Sequence, residues 1–264
     1  MKEHISIMNK KGSRDISSFL NKIIKGDCLK IMPKLPDKSI DMILADLPYG
    51  VTRNKWDSII PLDKLWSEYK RIIKDNGAIV LTATQKFASQ LVMSEPDLFR
   101  YDYVWVKSVA SGQLNANHQP LRMHEMILVF YKKQPTYNPQ FTQGKPYSIM
   151  RKVTFKGESY NKQKDTFKIN TGYRYPTSVL YFPNPRIKGG HPTQKPVELF
   201  KYLIKTYTNE GDVVLDNAIG SGTTAIACLE TGRNFIGIDI SKKYCEMARE
   251  NIRKYKLQQK AKHI

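Results

Sequence analysis

The chain is short of acid, short of cysteine and without any long apolar run, and each shortage narrows what it can be. Asp and Glu number 24 against 43 Lys and Arg, a formal net charge of +19 over 264 residues. Such an excess calls for a polyanionic partner, either nucleic acid or an anionic membrane surface. No stretch approaches the roughly 18 to 20 apolar residues that a spanning helix needs, so the membrane reading lacks support. The opening MKEHISIMNKKGSRD has neither an apolar core nor a cleavage-like site, which predicts a cytoplasmic protein rather than a secreted one. The three cysteines, Cys28, Cys228 and Cys245, fit neither a disulfide framework nor a Cys-x-x-Cys metal pattern, and free buried thiols are the expectation. His124-Glu125 looks like half of a zinc helix, but the position four residues after His124 is Leu128, so no metal site is expected.

What is present is unevenly spread. Between 131 and 190 there are 12 Lys and Arg against two acids, Glu158 and Asp165, and 11 of the 28 aromatic residues. Cations interleaved with rings suit phosphate contacts and stacking on bases. The same window has little periodicity and reads as an irregular insertion, 131–189, between two regular parts, 1–130 and 190–264. Those flanks predict strands near 22–26, 40–46, 78–83, 101–107, 126–132, 212–216 and 234–239. The helices are predicted near 62–74, 85–93, 196–208, 222–231 and 242–257, with Gly77 just beyond the end of the first. Strands alternating with helices imply a mainly parallel, doubly wound α/β sheet of Rossmann-like form.

The stretch VVLDNAIGSGTTAIACLETGRNFIGIDI (213–240) is a strand, a glycine turn, a helix and a second strand. Gly220 and Gly222 permit a tight turn and close approach of a ligand to the backbone, and the next helix aims its first N–H groups there. Asp239 lies 19 residues beyond Gly220, where its carboxylate can take both hydroxyls of a ribose. GSGTTA also satisfies the dinucleotide pattern. Two features argue against a nicotinamide cofactor: too little chain remains for further βαβ units, and Asp216 at the mouth of the loop would repel a pyrophosphate. An acid there suits the ammonium of an amino acid, and an amino acid joined to a nucleoside describes S-adenosylmethionine. The missing strands then come from the N-terminal half in a circularly permuted sheet. The strand near 22–26 follows the last helix in space, bringing Asp27 and Cys28 near the adenine, and the strand ending in Asp46 lies one further on.

Taken in order, GDCLKIMPKLPDKSIDMILADLPYG (26–50), LRMHEMILVFYK (121–132), the basic insertion, HPTQKPVEL (191–199) and LDNAIGSGTT (215–224) resemble the permuted, β-class amino-methyltransferases of bacteria and phages, which modify exocyclic amines in DNA. The resemblance covers about 22–255. It implies S-adenosylmethionine as the only cofactor, with no metal, and DNA as the partner of a monomer or homodimer. It also implies a target-recognition role for the insertion, a catalytic set Asp46, Leu47, Pro48 and Tyr49, and cofactor contacts from the HPTQKP segment (His191, Thr193, Lys195). The glycine loop (Asp216, Gly220, Ser221, Gly222, Thr223), Asp239, Asp27 and Cys28 complete the implied cofactor site. Two departures stand out: Leu47 replaces the family's first proline, and Asp216-Asn217-Ala218 replaces Asp-Pro-Phe, which removes a ring from position 218.

The chemistry of DLPYG follows from the amine. The lone pair of an adenine N6 is delocalised into the ring, and two acceptors on its N–H groups would localise it. The Asp46 carboxylate and the Leu47 carbonyl are the expected pair, with Pro48 holding Leu47 extended. Tyr49 offers a flat face to a base swung out of the duplex, and transfer is expected to be direct. Asp at the first position leans towards adenine N6. Cytosine N4, an RNA adenine and a non-catalytic DNA-binding role remain the alternatives.

Overall fold

The computed structural model describes residues 15–50, 59–151, 165–185 and 194–262. Its strands and helices, in chain order, begin with β1 (Lys22–Lys25), α1 (Cys28–Ile31), β2 (Ile40–Ala45), α2 (Leu62–Ile72), β3 (Ile73–Ala83), α3 (Gln85–Ser94), β4 (Phe99–Ser111) and β5 (Arg122–Phe130). Then come β6 (Thr142–Gln143), β7 (Tyr147–Arg151), β8 (Thr166–Asn170), β9 (Tyr173–Arg174) and β10 (Val179–Tyr181). The chain closes with α4 (Val197–Tyr207), β11 (Val213–Asp216), α5 (Thr223–Glu230), β12 (Asn234–Asp239) and α6 (Lys242–Lys262).

Eight strands form the main sheet in the order β1-β12-β11-β2-β3-β5-β4-β10. The first five are mutually parallel, β5 is antiparallel to both β3 and β4, and β10 runs parallel to β4. β1 does extend the sheet beyond β12. β2, expected one strand past β1, instead lies against the opposite side of β11. The direction of winding therefore reverses at β11, and Asp46 ends up beside the strand that leads into the glycine loop. In such a sheet a crevice opens at that reversal, outside the carboxyl ends.

Side-chain alternation splits the core into two layers. Met42 and Leu44 of β2 face α4, α5 and α6 together with Ala78, Val80 and Val214. Ile43 and Ala45 face α1, α2 and α3 together with Ile79, Leu81 and Leu215. α2 shows why these helices form: Leu65, Trp66, Tyr69 and Ile72 make one buried stripe, Asp63 sits in the first turn, and Lys70 and Arg71 in the last. Ile73 is already extended, so the helix ends earlier than predicted and β3 begins at once. Gly77 therefore lies within the strand rather than beyond a helix. There the β2–β3 register shifts, and a Cβ at Gly77 would come 2.8 Å from the Asp41 carbonyl oxygen.

Residues Pro139–Thr177 form a separate compact unit, narrower than the expected 131–189, because β10 returns to the main sheet. Its local order was not legible as periodicity: β7 and β8 pair as an antiparallel ribbon, and β6 pairs with β9. Phe141 packs on Tyr173 and Tyr175, and the Arg174 guanidinium lies 4.7 Å from the Tyr147 ring centroid.

Candidate active site

Asp46 follows the last residue of β2 on the face already set by Met42 and Leu44. Two hydroxyls donate to its Oδ1, that of Tyr49 at 2.6 Å and that of Thr82 on β3. The Lys195 ammonium donates to its Oδ2 at 2.7 Å. Lys195 also lies 3.2 Å from Glu125 Oε2, and Lys107 lies 3.4 Å from Glu125 Oε1. Four charged groups thus form one partly buried chain with alternating signs. Burial works against the charge on Lys195, but Asp46, Tyr49 and Glu125 outweigh it and hold its pKa well above the usual lysine value. The Tyr49 hydroxyl is likewise pushed well up, by burial first and by the charge of Asp46 second.

The sheet explains why these groups meet. Thr82 continues the face of Ala78 and Val80, Glu125 continues that of Ile127 and Val129, and Lys107 that of Tyr103 and Trp105. Because β5 is antiparallel to β3, with Met126 opposite Ala83, the start of β5 and the end of β3 share one edge. Glu125 and Trp105 are register partners across β4–β5, which brings Lys107 to the same edge. Thr82, Glu125 and Lys107 were not among the sequence candidates. The available signal was a polar residue closing each alternating apolar face.

Leu47 is the member of DLPYG whose side chain goes inward. It is 3 % exposed and belongs to the α1–α3 layer of the core, so its role extends beyond the carbonyl proposed for it. Leu47→Ala should therefore cost about 2–5 kcal/mol of stability, read from denaturant unfolding. The Tyr49 ring packs beside Phe87 with centroids 5.3 Å apart.

The glycine loop is organised from within. Asp216 is 3 % exposed and does not stand at the loop's mouth. Its carboxylate accepts from the Ala218 N–H and from the Thr224 hydroxyl. Its pKa is raised to about 7, by burial first and by Asp46 and Asp239 in addition, against the opposing pull of the two hydrogen bonds. Gly220 donates its N–H to Asp239 Oδ2 at 3.0 Å, and Ser241 donates to Oδ1 at 2.7 Å, so Asp239 is aimed by two backbone groups at the end of β12. Gly222 caps α5 with φ of +90°, and a Cβ there would lie 3.1 Å from that of Ala248 on α6. Gly222→Ala is expected to lose about 1–3 kcal/mol through backbone strain and crowding, measurable by thermal unfolding. Ser221 and Thr223 flank it and are buried.

Asp27 caps α1 by accepting from the Leu29 N–H at 2.9 Å, and Cys28 is buried, with its thiol pKa raised by that burial. Tyr69 of α2 donates its hydroxyl to Asn217 Oδ1, and the Asn217 amide nitrogen is buried with no hydrogen-bond partner found among the described residues. His191 and Thr193 lie outside the described residues. Lys195, which the resemblance implies as a cofactor contact, donates here to Asp46 Oδ2. Among the described residues no cluster of His, Cys, Asp or Glu is disposed to hold a metal ion, no helix is long and apolar enough to cross a membrane, and all three cysteines are free and buried.

A family model described as DNA methylase, covering adenine-N6 and cytosine-N4 enzymes, matches residues 40–250, nearly the whole of this arrangement. The chain belongs to the DNA methylase family. DNA adenine methyltransferase YhdJ of Escherichia coli K12 is 31% identical over 245 residues, spanning 85% of this chain and 80% of the relative. Among solved structures, the M1.HpyAVI–SAM complex superimposes with a TM-score of 0.60 at 23% identity, covering 87% of this chain and 98% of its own. The cytosine-N4-specific PvuII DNA methyltransferase superimposes with a TM-score of 0.64 at 17% identity, over 86% of this chain and 84% of that one. The Rossmann-like methylase fold is thus shared by N6 and N4 enzymes, and the choice of base has to be argued from the site.

Proposed function

We propose that this DNA methylase transfers a methyl group from S-adenosylmethionine to adenine N6 in DNA, within the cytoplasm, on a base swung out of the duplex. The observation that carries the proposal is the seating of Asp46 at the carboxyl end of β2 next to β11, whose loop would hold the donor. The residues present fit that cofactor. Asp239, held at the end of β12 by two backbone N–H groups, suits a ribose. When bound, the cofactor supplies an electrophilic methyl on a sulfonium.

The chain's own part is to hold and align the amine. A carboxylate offers about four lone-pair sites. Three on Asp46 are taken by Tyr49, Thr82 and Lys195, leaving Oδ2 able to accept one N–H of the target. The Leu47 carbonyl would take the other N–H, and the Tyr49 ring would line the base. Alignment of the reacting atoms supplies most of the rate. Asp at the head of the tetrapeptide and the 31%-identical relative named as an adenine enzyme both support adenine over cytosine. Unit Pro139–Thr177 is proposed as the target-recognition region: a two-stranded ribbon such as β7–β8 has the width that the major groove admits.

The test is direct. Purified protein, labelled S-adenosylmethionine and mixed-sequence duplex DNA are incubated, the DNA is digested, and the labelled nucleoside is identified. N6-methyl-2′-deoxyadenosine is expected. N4-methyl-2′-deoxycytidine would replace the choice of base, and label incorporated only when RNA is supplied in place of DNA would replace the substrate.

A further inference from the structure

We propose that Lys195 is a positioning residue for Asp46 rather than a ligand of the cofactor, and that Glu125 and Lys107 set how strongly it acts. The inference rests on the reading of Asp46 as the acceptor for the target amine.

An ammonium group has three N–H donors. Lys195 is 6 % exposed. It gives one N–H to Asp46 Oδ2 at 2.7 Å, faces Glu125 Oε2 at 3.2 Å, and lies 5.8 Å from the Tyr49 ring centroid, within cation–π range. Glu125 Oε2 has no hydrogen-bond partner among the described residues, so the pairing with Glu125 is electrostatic and the one hydrogen bond of Lys195 goes to Asp46; all three neighbours belong to the target side of the crevice. Glu125 is in turn shared: its Oε1 faces Lys107, which also donates to Ser111 Oγ at 2.9 Å. The chain Asp46⁻–Lys195⁺–Glu125⁻–Lys107⁺ is neutral as a whole, and each member competes for the next. Lys195 holds the closer carboxylate more tightly, so Asp46 Oδ2 is turned to one side with its remaining lone pair available. Removing the competing charge of Glu125 gives Lys195 wholly to Asp46. Removing Lys107 makes Glu125 lean harder on Lys195 and weakens its grip on Asp46. The other groups facing Asp46 are the Tyr49 hydroxyl, the Thr82 hydroxyl and, from β11, Asp216; all are common to the variants below and leave the order of their effects unchanged.

A merely structural salt bridge would lower stability in each variant without an ordered effect on ionisation. The proposed arrangement predicts signs. The carboxyl of residue 46 is followed by carbon-detected NMR in aspartate-labelled protein, with Asp46→Asn identifying the signal. In Lys195→Met its titration should move up by about one to three pH units, as expected when a carboxylate loses a cation within hydrogen-bond reach. It should move down in the isosteric Glu125→Gln and up by a smaller step in Lys107→Met. S-adenosylmethionine affinity, measured by calorimetry, should stay within about twofold of the parent in Lys195→Met. The acid limb of single-turnover methyl transfer to DNA should follow the same three directions.

A reduction of cofactor affinity of tenfold or more in Lys195→Met would overturn the proposal, as would titrations that move together or not at all in the three variants. Should Lys195→Met not fold, Glu125→Gln still decides the matter, because an unmoved titration there contradicts the competition. A parent protein that transfers no methyl group would sink the proposed activity alone, since the NMR titrations and the calorimetry do not depend on turnover.

Discussion

Asp46→Ala should lower methyl transfer by about 10³-fold or more while leaving DNA affinity within a few-fold of the parent. Loss of a single preorganised hydrogen-bonding group in an active site costs roughly 10²–10³ in rate. Here one truncation removes the acceptor for the amine and also releases Tyr49, Thr82 and Lys195 from their common anchor. The fold should survive, because Lys195 retains Glu125 as a partner at 3.2 Å and is not left as an isolated buried charge. Single-turnover transfer of labelled methyl, set beside a DNA-binding titration and a thermal melt, checks all three statements. Full activity in the variant would refute the role given to Asp46.

The second large effect concerns salt. DNA affinity should fall about 10³- to 10⁵-fold between 50 and 200 mM salt if six to ten phosphates are neutralised. Most of that dependence should come from the basic insertion, where 12 cations face two acids. Replacing Lys145, Lys152, Lys156, Lys162 and Lys164 together by Gln should flatten the log–log slope by about 0.9 for each phosphate left without its cation. Fluorescence anisotropy over a salt series reads the slope. An unchanged slope would move the DNA-binding surface to another part of the chain. Phosphate contacts carry no sequence information, so the replacement is expected to weaken binding to all sequences alike.

Much of the fold was legible because buried parallel strands and amphipathic helices differ in period, and the flanks of the insertion follow those periods closely. DMILA read as a strand, and the stripe Leu65, Trp66, Tyr69 and Ile72 as a helix, for that reason. The neighbour of β2 was misplaced because strand order depends on which edges meet, and periodicity carries no record of edges. The short ribbons of the insertion were missed because two to five residues are too few for an alternating pattern to rise above its surroundings. Gly77 misled in a simple way: a glycine after a helix normally stops it, whereas this one makes room for the Asp41 carbonyl. In the site, DLPYG and the glycine loop were visible as contiguous strings. Thr82, Lys107 and Glu125 were not, since they come from three strands and converge only when those strands share an edge. Lys195 illustrates the same limit, because its motif gives no sign of the contacts to Asp46 and Glu125 that the fold brings about.

The pairing of β2 with β11 also has a bearing on how the chain is made. Asp41 at the start of β2 accepts the N–H of Val213, 172 residues away, and so joins two segments synthesised far apart in time. At roughly 5–20 residues per second, the edge of β2 would wait on the order of 10 to 30 s for that partner to leave the ribosome. During this interval a strand as apolar as IDMILA has one side open to mispairing. The crevice between Asp46 and the glycine loop cannot exist until then either. A chain that has not yet supplied β11 and its glycine loop therefore lacks that crevice altogether.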